Sequence, residues 1–390
     1  MIKMRQKFLF LILFLLFFIN TDAQKLSPQA QISLITCNPG EELYSVFGHN
    51  AVRVKDPKLR IDWVYNYGTF NFNEPGFYVK FVRGKLNYML SVGYFRNFIY
   101  AYQRENRSVR EQILNMTPVE KQKMFDFMQH NARPENKYYK YDFFFDNCAT
   151  RVRDILENEF GNEIQFHTNY KDTLSFRDML MPYLQEHYWS RFGINLILGA
   201  VIDRKATFRE TMFLPDYLEK AATDATITIN GKTTPLVKHS QTLFEQTDND
   251  TTTPFWIRPS TLWWTLFIIA VLLFYFEQKK DIVYKAFDFI FFFAIGILGL
   301  ILFLVWFATD HTAVAQNWNL MWALPTHFFM AFLFFVKKKP AFFRYYFLVS
   351  GILAVAVLPF WWLIPQVLDY AIIPLVLTIG LRSYRIWLSY

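Results

Sequence analysis

Five apolar runs close the chain, and they constrain its fold more than any other feature. They cover residues 255–276, 286–307, 319–336, 342–363 and 367–386. Each run is near the length that an α-helix needs to cross about 30 Å of hydrocarbon. None carries the polar stripe that a helix on the surface of a soluble bundle would show. The C-terminal part, 255–390, is therefore predicted to be an all-α membrane domain of about five transmembrane helices.

The charges between these runs predict an orientation. Cationic residues occur in the loops 277–285 and 337–344 and in the tail, whereas the loops 309–316 and 364–369 contain no Lys or Arg. Loops rich in Lys and Arg stay in the cytoplasm. We therefore expect a multi-pass membrane protein whose C-terminus is cytoplasmic and whose residues before the first run lie outside.

The N-terminus has the pattern of an export signal. Lys3, Arg5 and Lys7 precede an apolar stretch at 8–19, and small residues follow at 21–23. The apolar stretch is about a dozen residues long, which is short for a span of about 20. We expect residues 1–23 to be a signal peptide cleaved before Gln24; an uncleaved anchor is the alternative.

Residues 24–244 are predicted to form one exported domain of the α+β class. A polar linker at 245–254 joins it to the membrane domain. Alternating and β-branched residues predict strands, and capping signals such as Thr117 with Glu120 predict helices. The predicted strands are 31–37, 46–54 and 60–67; the predicted helices are 117–131, 148–160 and 174–187. A hairpin is predicted at 226–236, with its turn at Asn230-Gly231.

Composition narrows the classes of partner. The chain has 41 Lys+Arg against 33 Asp+Glu, a net charge of +8. Much of this excess flanks the apolar runs, and no recognition motif accompanies it, so we expect the lipid bilayer and no nucleic acid as partner. The two cysteines and the scattered histidines lack zinc-ligand spacing. No metal or other cofactor is expected.

Two short motifs, about a hundred residues apart, contain the parts of a thiol nucleophile. His49 lies in Gly48-His49-Asn50-Ala51 on a predicted strand, and Cys148 opens a predicted helix in Asp146-Asn147-Cys148-Ala149. A helix N-terminus favours a thiolate, and an imidazole can take the thiol proton. We therefore predict that Cys148 is the nucleophile and His49 its base. Asp62 and Asn66, on the following strand, are the candidates for orienting the imidazole.

Simpler interpretations of the same residues stay open. Cys37 and Cys148 could form a structural disulfide, because an exported domain meets an oxidising compartment. His49 alone could be a hydrogen-bonded core residue. The order His before Cys is the reverse of the papain order. It resembles the circularly permuted papain-like fold of lecithin–retinol acyltransferases and of permuted NlpC-type peptidases.

Several short blocks of the sequence form a recognisable set. They are Cys37-x-Pro39-Gly40, Tyr44-Ser45-x-Phe47-Gly48-His49-x-Ala51-x-Arg53, Asn66-Tyr67-Gly68-Thr69-Phe70, Phe81-x-Arg83-Gly84-Lys85-Leu86-x-Tyr88, Asp146-Asn147-Cys148-Ala149-Thr150-Arg151, Phe192-Gly193-Ile194-Asn195, Phe213-Leu214-Pro215-Asp216-Tyr217-Leu218, Thr309-Asp310-His311 and Asn317-Trp318-Asn319. Together these blocks resemble the Lnb family, the lipoprotein N-acyltransferases of Bacteroides-type bacteria. The resemblance implies a permuted papain-like domain on the periplasmic side of the bacterial inner membrane, followed by a membrane domain. It also implies that His49 and Cys148 are the catalytic pair.

The resemblance implies a reaction as well. An acyl chain would pass from a membrane phospholipid, through a thioester on Cys148, to the N-terminal cysteine α-amine of a diacylated lipoprotein. Candidate oxyanion or substrate-binding residues are Tyr44 and Asn147, and candidates for binding the lipid phosphate are Arg53, Arg83 and Arg151. Asp310 and His311, in an outward loop, are second-tier candidates for substrate entry.

Two other functions fit some of these features. The same Cys–His pair could serve a membrane-anchored cysteine peptidase or amidase acting on cell-wall peptides, although such an enzyme needs one span or none. Alternatively, the protein could be a non-catalytic membrane binding or assembly protein in which the two cysteines form a disulfide.

Overall fold

The computed structural model describes residues 24–167, 173–247 and 254–390. The predicted signal peptide, 1–23, and most of the predicted linker, 248–253, lie outside the described residues. A sheet-rich N-terminal part precedes a helical C-terminal part that contains several apolar helices. This layout confirms the α+β class and the order of the two parts.

Strands form two antiparallel sheets in the N-terminal part. Their bounds are β1 Gln31–Cys37, β2 His49–Asp56, β3 Ile61–Thr69, β4 Asn87–Tyr94, β5 Val109–Leu114, β6 Tyr138–Lys140, β7 Ile164–Gln165, β8 Thr226–Ile229, β9 Lys232–Pro235 and β10 Val237–Phe244. The larger sheet has the order β10-β5-β1-β2-β3-β4-β6, and the smaller has the order β7-β8-β9. The β8–β9 hairpin turns at Asn230-Gly231, as the sequence predicts.

Helices pack on both faces of the larger sheet. The helices of the N-terminal part are α1 Phe77–Val82, α2 Phe95–Arg104, α3 Pro118–Asn131, α4 Cys148–Phe160, α5 Phe176–Leu180, α6 Tyr188–Ile197, α7 Phe208–Thr211 and α8 Pro215–Asp224. Successive strand residues point to opposite faces. One face, with Val52 and Tyr65, packs against α3 and α4, and the other, with Ala51 and Val64, packs against α2. The sheet therefore separates two hydrophobic cores.

Two predicted elements differ from the observed ones by three residues or more at one end. β2 begins at His49, not at residue 46, because a turn ends at Gly48 with φ 77°. A Cβ on Gly48 would lie 2.8 Å from the Cys37 carbonyl oxygen, so only glycine fits there. The predicted helix 174–187 is shortened to α5 and a 3₁₀ turn at Met181–Leu184, where Pro182 has no N–H to donate.

The C-terminal part contains α9 Pro259–Lys280, α10 Lys285–Phe307, α11 Thr326–Phe332, α12 Phe342–Ala356 and α13 Ile373–Ser389. In the described residues, three helices are long and apolar enough to cross a membrane, or four if a bent pair counts as one span. The bent pair, Thr312–Met321 with Thr326–Phe335, turns by 44° where Pro325 interrupts it. α12 has only 15 residues. A count of five spans therefore stays a prediction.

The segment 188–203 of the N-terminal part docks on the membrane part. Phe192 and Leu196 of α6 enter the hydrophobic core of the membrane helices. The Asn317 amide donates to the Leu196 carbonyl over 2.7 Å, and the Gln366 amide donates to the Leu198 carbonyl over 2.9 Å. Asn317 directly follows the predicted outward loop 309–316, and Gln366 lies in the predicted outward loop 364–369. Both loops therefore lie on the same side of the membrane domain as the N-terminal domain.

Gly199 lies at the closest point of this contact. Its N–H donates to the Ala313 carbonyl over 2.9 Å, and a Cβ on it would lie 1.8 Å from the Ala315 carbonyl oxygen. We expect Gly199→Ala to force the two backbones apart and to lower the free energy of unfolding by about 1–3 kcal/mol. Thermal unfolding of the full-length protein in detergent measures this. The matched control is Gly193→Ala, since a Cβ there would meet nothing within 4 Å; equal melting of the two variants would contradict the expectation.

Candidate active site

The start of α4 places the Cys148 sulfur. The Asn147 Oδ1 accepts the N–H groups of Ala149 and Thr150 over 2.8 and 2.9 Å, and the Thr150 hydroxyl accepts the Asn147 N–H over 2.7 Å. This capping box makes Cys148 the first residue of the helix. The Asn147 Nδ2 group donates to the carbonyls of Phe143 and Phe213. Asn147 is thus engaged in holding the helix start, rather than offered to a substrate.

The sulfur lies where β2 and β3 separate. These strands are paired from Val52 opposite Tyr65 onward, and β3 has a register shift between Asn66 and Thr69. Gly68, in that irregular stretch, borders the nucleophile, since a Cβ added to it would lie at van der Waals distance, 3.8 Å, from the Cys148 Cβ. The imidazole of His49 and the backbone N–H groups of Asn50 and Ala149 lie close enough to the sulfur to lower the pKa of the thiol. The structure therefore brings the predicted thiol and imidazole into contact.

Electrostatics in this contact favour the charged pair. Burial raises the pKa of the Cys148 thiol, but the charge of His49, its hydrogen bond and the two backbone N–H groups lower that pKa below its usual value. Burial lowers the pKa of His49, but the charge of Cys148 and the hydrogen bonds to Cys148 and Asn66 raise it above its usual value. Each group thus favours the ionised form of the other, as in a thiolate–imidazolium pair.

Of the two candidate orienting residues, Asn66 lies at the imidazole. The His49 Nε2–H donates to the Asn66 Oδ1 over 2.5 Å, which leaves Nδ1 to exchange the thiol proton. The Asp62 carboxylate is engaged elsewhere, accepting two hydrogen bonds from Arg53 over 2.7 and 2.8 Å. We therefore keep Asn66, and not Asp62, as the residue predicted to orient the base.

The three candidate arginines have different surroundings. Arg53 is buried between Asp62 and Glu111, with its guanidinium 3.4 Å above the Phe95 ring, so it holds strands and α2 together. Arg151 pairs with Asp146 over 2.5 and 2.6 Å and stacks on Tyr139. Arg83, just after α1, is exposed. It is the candidate that a lipid phosphate could reach without breaking a buried ion pair.

Asp310 and His311 lie against the end of α1. The Asp310 N–H donates to the Arg83 carbonyl over 3.0 Å, and the His311 Nε2 lies 3.2 and 3.1 Å from the carbonyl oxygens of Phe81 and Val82. These contacts satisfy carbonyls that the last turn of a helix leaves without partners. The two residues therefore join the membrane part to α1. Tyr44, on the turn before β2, is 72% exposed.

Sequence reasoning missed two tyrosines beside the pair and left the role of Cys37 open. Tyr139 and Tyr141 are close enough to Cys148 for a thiolate to raise their pKa values, and Cys37 lies opposite His49 in the β1–β2 pair. Cys37 and Cys148 are both free thiols. Burial raises the pKa of Cys37 to about 12, so its thiol stays protonated at neutral pH. The sequence signal that could have identified the two tyrosines is the Tyr-Tyr-Lys-Tyr stretch at 138–141, just before the Cys148 motif. Among the described residues, no group of three His, Cys, Asp or Glu could hold a metal ion.

The pKa of Cys148 gives a test of the pair. We expect His49→Gln to move the midpoint of Cys148 alkylation by iodoacetamide to higher pH, because burial would still raise the thiol pKa while the neighbouring cation is lost. Alkylation rates across a pH series, read by mass spectrometry of the Cys148 peptide, measure the midpoint. His239→Gln, at an exposed position on β10, is the control. Superimposable profiles for His49→Gln and the native protein would rule out the pair.

Fold and site together define an exported domain with a thiol–imidazole pair, fixed to a helical membrane domain. The family model for the Lnb N-terminal periplasmic domain matches residues 20–180, and that for the Lnb transmembrane domain matches residues 249–390. The chain belongs to the Lnb family. No curated protein and no solved structure matches it. Membership implies an acyltransferase-type enzyme of the inner membrane with an exported N-terminal domain.

Proposed function

We propose that this protein is a lipoprotein N-acyltransferase that moves an acyl chain from a membrane phospholipid to the N-terminal cysteine α-amine of a diacylated lipoprotein. The observation that carries the proposal is the Cys148–His49 contact at a helix start, in a domain docked on a membrane domain. The reaction needs a nucleophile that forms an acyl intermediate and two substrates that never leave the lipid. A buried thiol beside an imidazole, in a domain docked on a membrane domain, supports both requirements.

In the first half-reaction the Cys148 thiolate attacks an ester carbonyl carbon of the phospholipid, after His49 has taken the thiol proton. The carbonyl becomes an oxyanion, and the N–H of Cys148, which helix geometry leaves without an intrahelical partner, is placed to stabilise it. Collapse breaks the carbon–oxygen bond, and His49 protonates the departing lysophospholipid alkoxide. The product is a thioester on Cys148.

In the second half-reaction the α-amine of the lipoprotein attacks the thioester carbonyl carbon. His49 takes the amine proton and returns it to the departing sulfur, which restores the thiol and leaves an amide. Amines attack thioesters much more readily than oxygen esters, which suits a thiol enzyme to amide synthesis. A lipid-lined site would limit competing hydrolysis by water.

The membrane domain acts by positioning. Both substrates are anchored in one leaflet, so an enzyme fixed beside that leaflet meets them in a planar search. We place the active site on the periplasmic side and the C-terminus in the cytoplasm. The docked loops 309–316 and 364–369 lack Lys and Arg. In contrast, Lys279 and Lys280 end α9 and Lys285 begins α10, at the opposite end of α10 from Asp310.

Mass spectrometry of the full-length protein in phospholipid nanodiscs tests the proposal. We expect an acyl adduct on Cys148 that neutral hydroxylamine removes, and its disappearance when a synthetic diacylated lipopeptide with a free α-amine is added. The lipopeptide should gain the same acyl mass as an amide that hydroxylamine does not remove. An adduct that yields free fatty acid but no acylated lipopeptide would indicate a hydrolase, and the absence of any adduct would exclude the thioester route.

A further inference from the structure

The short helix α1 and the loop before it present an apolar surface to the outside of the exported domain. Tyr78 is 78% exposed and Val79 is 63% exposed. The other large apolar side chains of this surface are Phe72, Phe81 and Val82, each about half exposed or more. Five such side chains grouped on one short segment form a patch rather than scattered exposed residues, and such patches mark interaction sites.

The contacts of α1 place this surface at the outward end of a membrane span. α10 ends at Phe307, and only three residues later the Asp310 N–H bonds to the Arg83 carbonyl, while His311 binds the carbonyls at the end of α1. Helix α1 is therefore held within a few residues of the lipid boundary. Lys80, Arg83 and Lys85 lie on α1 or just after it. Basic residues beside an apolar face are typical of segments that lie in the headgroup region of anionic membranes.

A row of aromatic rings connects this surface with the Cys148 sulfur. A Cβ on Gly68 would lie 3.6 Å from the Tyr141 ring and 3.8 Å from the Cys148 Cβ, so both side chains border the same glycine. From there the ring centroids follow at 4.3 Å from Tyr141 to Tyr88 and at 5.3 Å from Tyr88 to Phe70. Phe70 then contacts both Phe72 and Phe77, at 4.9 and 5.7 Å. The row is a continuous apolar wall from the nucleophile to the α1 surface.

We propose that the α1 surface lies in the acyl-chain boundary of the outer leaflet and that the donor's acyl chain reaches Cys148 along this aromatic row. The occupant is phospholipid, since the surface continues the lipid-facing surface of α10 and carries basic residues at its edge. The second half of the proposal rests on the proposed acyltransferase function. The first half concerns lipid contact and is independent of turnover.

Lipid contact is measured with the full-length Cys148→Ser variant in phospholipid vesicles, in which the remaining Cys37 is buried. A single fluorophore is attached through Tyr78→Cys or, as control, through Val119→Cys on α3. Both positions are 78% exposed in the native protein. We expect phospholipids with nitroxide-labelled acyl chains to quench the label at position 78 and not at position 119. Absence of quenching at 78, or equal quenching at both, would overturn the proposal.

Delivery is measured by comparing two donors. We expect Val79→Asp to slow acylation of Cys148 from phospholipid vesicles by about tenfold, because a charge opposes entry into lipid. With a short-chain phospholipid dispersed in detergent, the same variant should differ from native by less than about twofold. Val119→Asp should match native with both donors. Equal slowing with both donors, or none, would overturn the delivery route. The native protein could also form no acyl adduct on Cys148 while the label at position 78 is quenched. That result would reject the proposed function and leave lipid contact standing.

Discussion

Replacing Cys148 with Ser is expected to reduce lipopeptide N-acylation by at least about 10³-fold, as the loss of a catalytic nucleophile does. The hydroxyl is nearly isosteric with the thiol, so the capping box of Asn147 and Thr150 should remain. The chemistry changes because the environment that lowers the pKa of a thiol cannot bring an alcohol near ionisation. Initial rates of lipopeptide acylation in nanodiscs, with equal amounts of folded protein, measure the effect.

Cys37→Ser is the matched control for this substitution. Cys37 is equally buried and lies opposite His49 in the sheet, but burial raises its pKa to about 12. A thiol that stays protonated cannot act as the nucleophile at neutral pH. We therefore expect Cys37→Ser to keep N-acylation within about tenfold of native, as a buried neighbour of the site would. Loss of activity in Cys37→Ser with retention in Cys148→Ser would reverse the assignment of the nucleophile.

Local signals explain what the sequence predicted correctly. β1 and α4 have the predicted bounds, and α3 begins at the predicted capping box of Thr117 and Glu120. Each of these elements is determined by residues within a few positions of one another: alternation, a cap, or an Asn-Gly turn. The meeting of His49 with Cys148 was also predicted, because a thiolate needs a base and the chain offers two cysteines.

Long-range geometry explains what the sequence could not predict. Asp62 and Asn66 lie on the same strand and face, and only the β2–β3 register shows that Asp62 is close to Arg53 while Asn66 is close to His49. The docking of 188–203 against loops more than a hundred residues later has no local signal either. The third apolar run looked continuous in hydropathy, yet Pro325 bends it.

Arg382, one of the cationic residues of the C-terminal tail, lies in a buried ionic cluster. Its guanidinium contacts the Glu277 carboxylate over 2.7 and 2.8 Å and the Asp288 carboxylate over 2.6 and 3.0 Å. All three side chains are fully buried. The cluster joins the end of α9 and the start of α10 to α13. Two consecutive helices thus meet a third, about a hundred residues later in the chain, at Arg382.

Arg382→Met is expected to lower the free energy of unfolding by about 3–5 kcal/mol, because it leaves the buried Asp288 carboxylate without a counter-charge and the buried Glu277 carboxylate with only Arg385, 3.4 Å away. Thermal unfolding of the full-length protein in detergent measures the loss. Lys338→Met, at an exposed position, should change stability by less than about 0.5 kcal/mol. Combining Arg382→Met with Glu277→Gln and Asp288→Asn removes the unpaired charges and should recover most of the loss. A triple variant as unstable as Arg382→Met would mean that packing, not charge, is the contribution of Arg382.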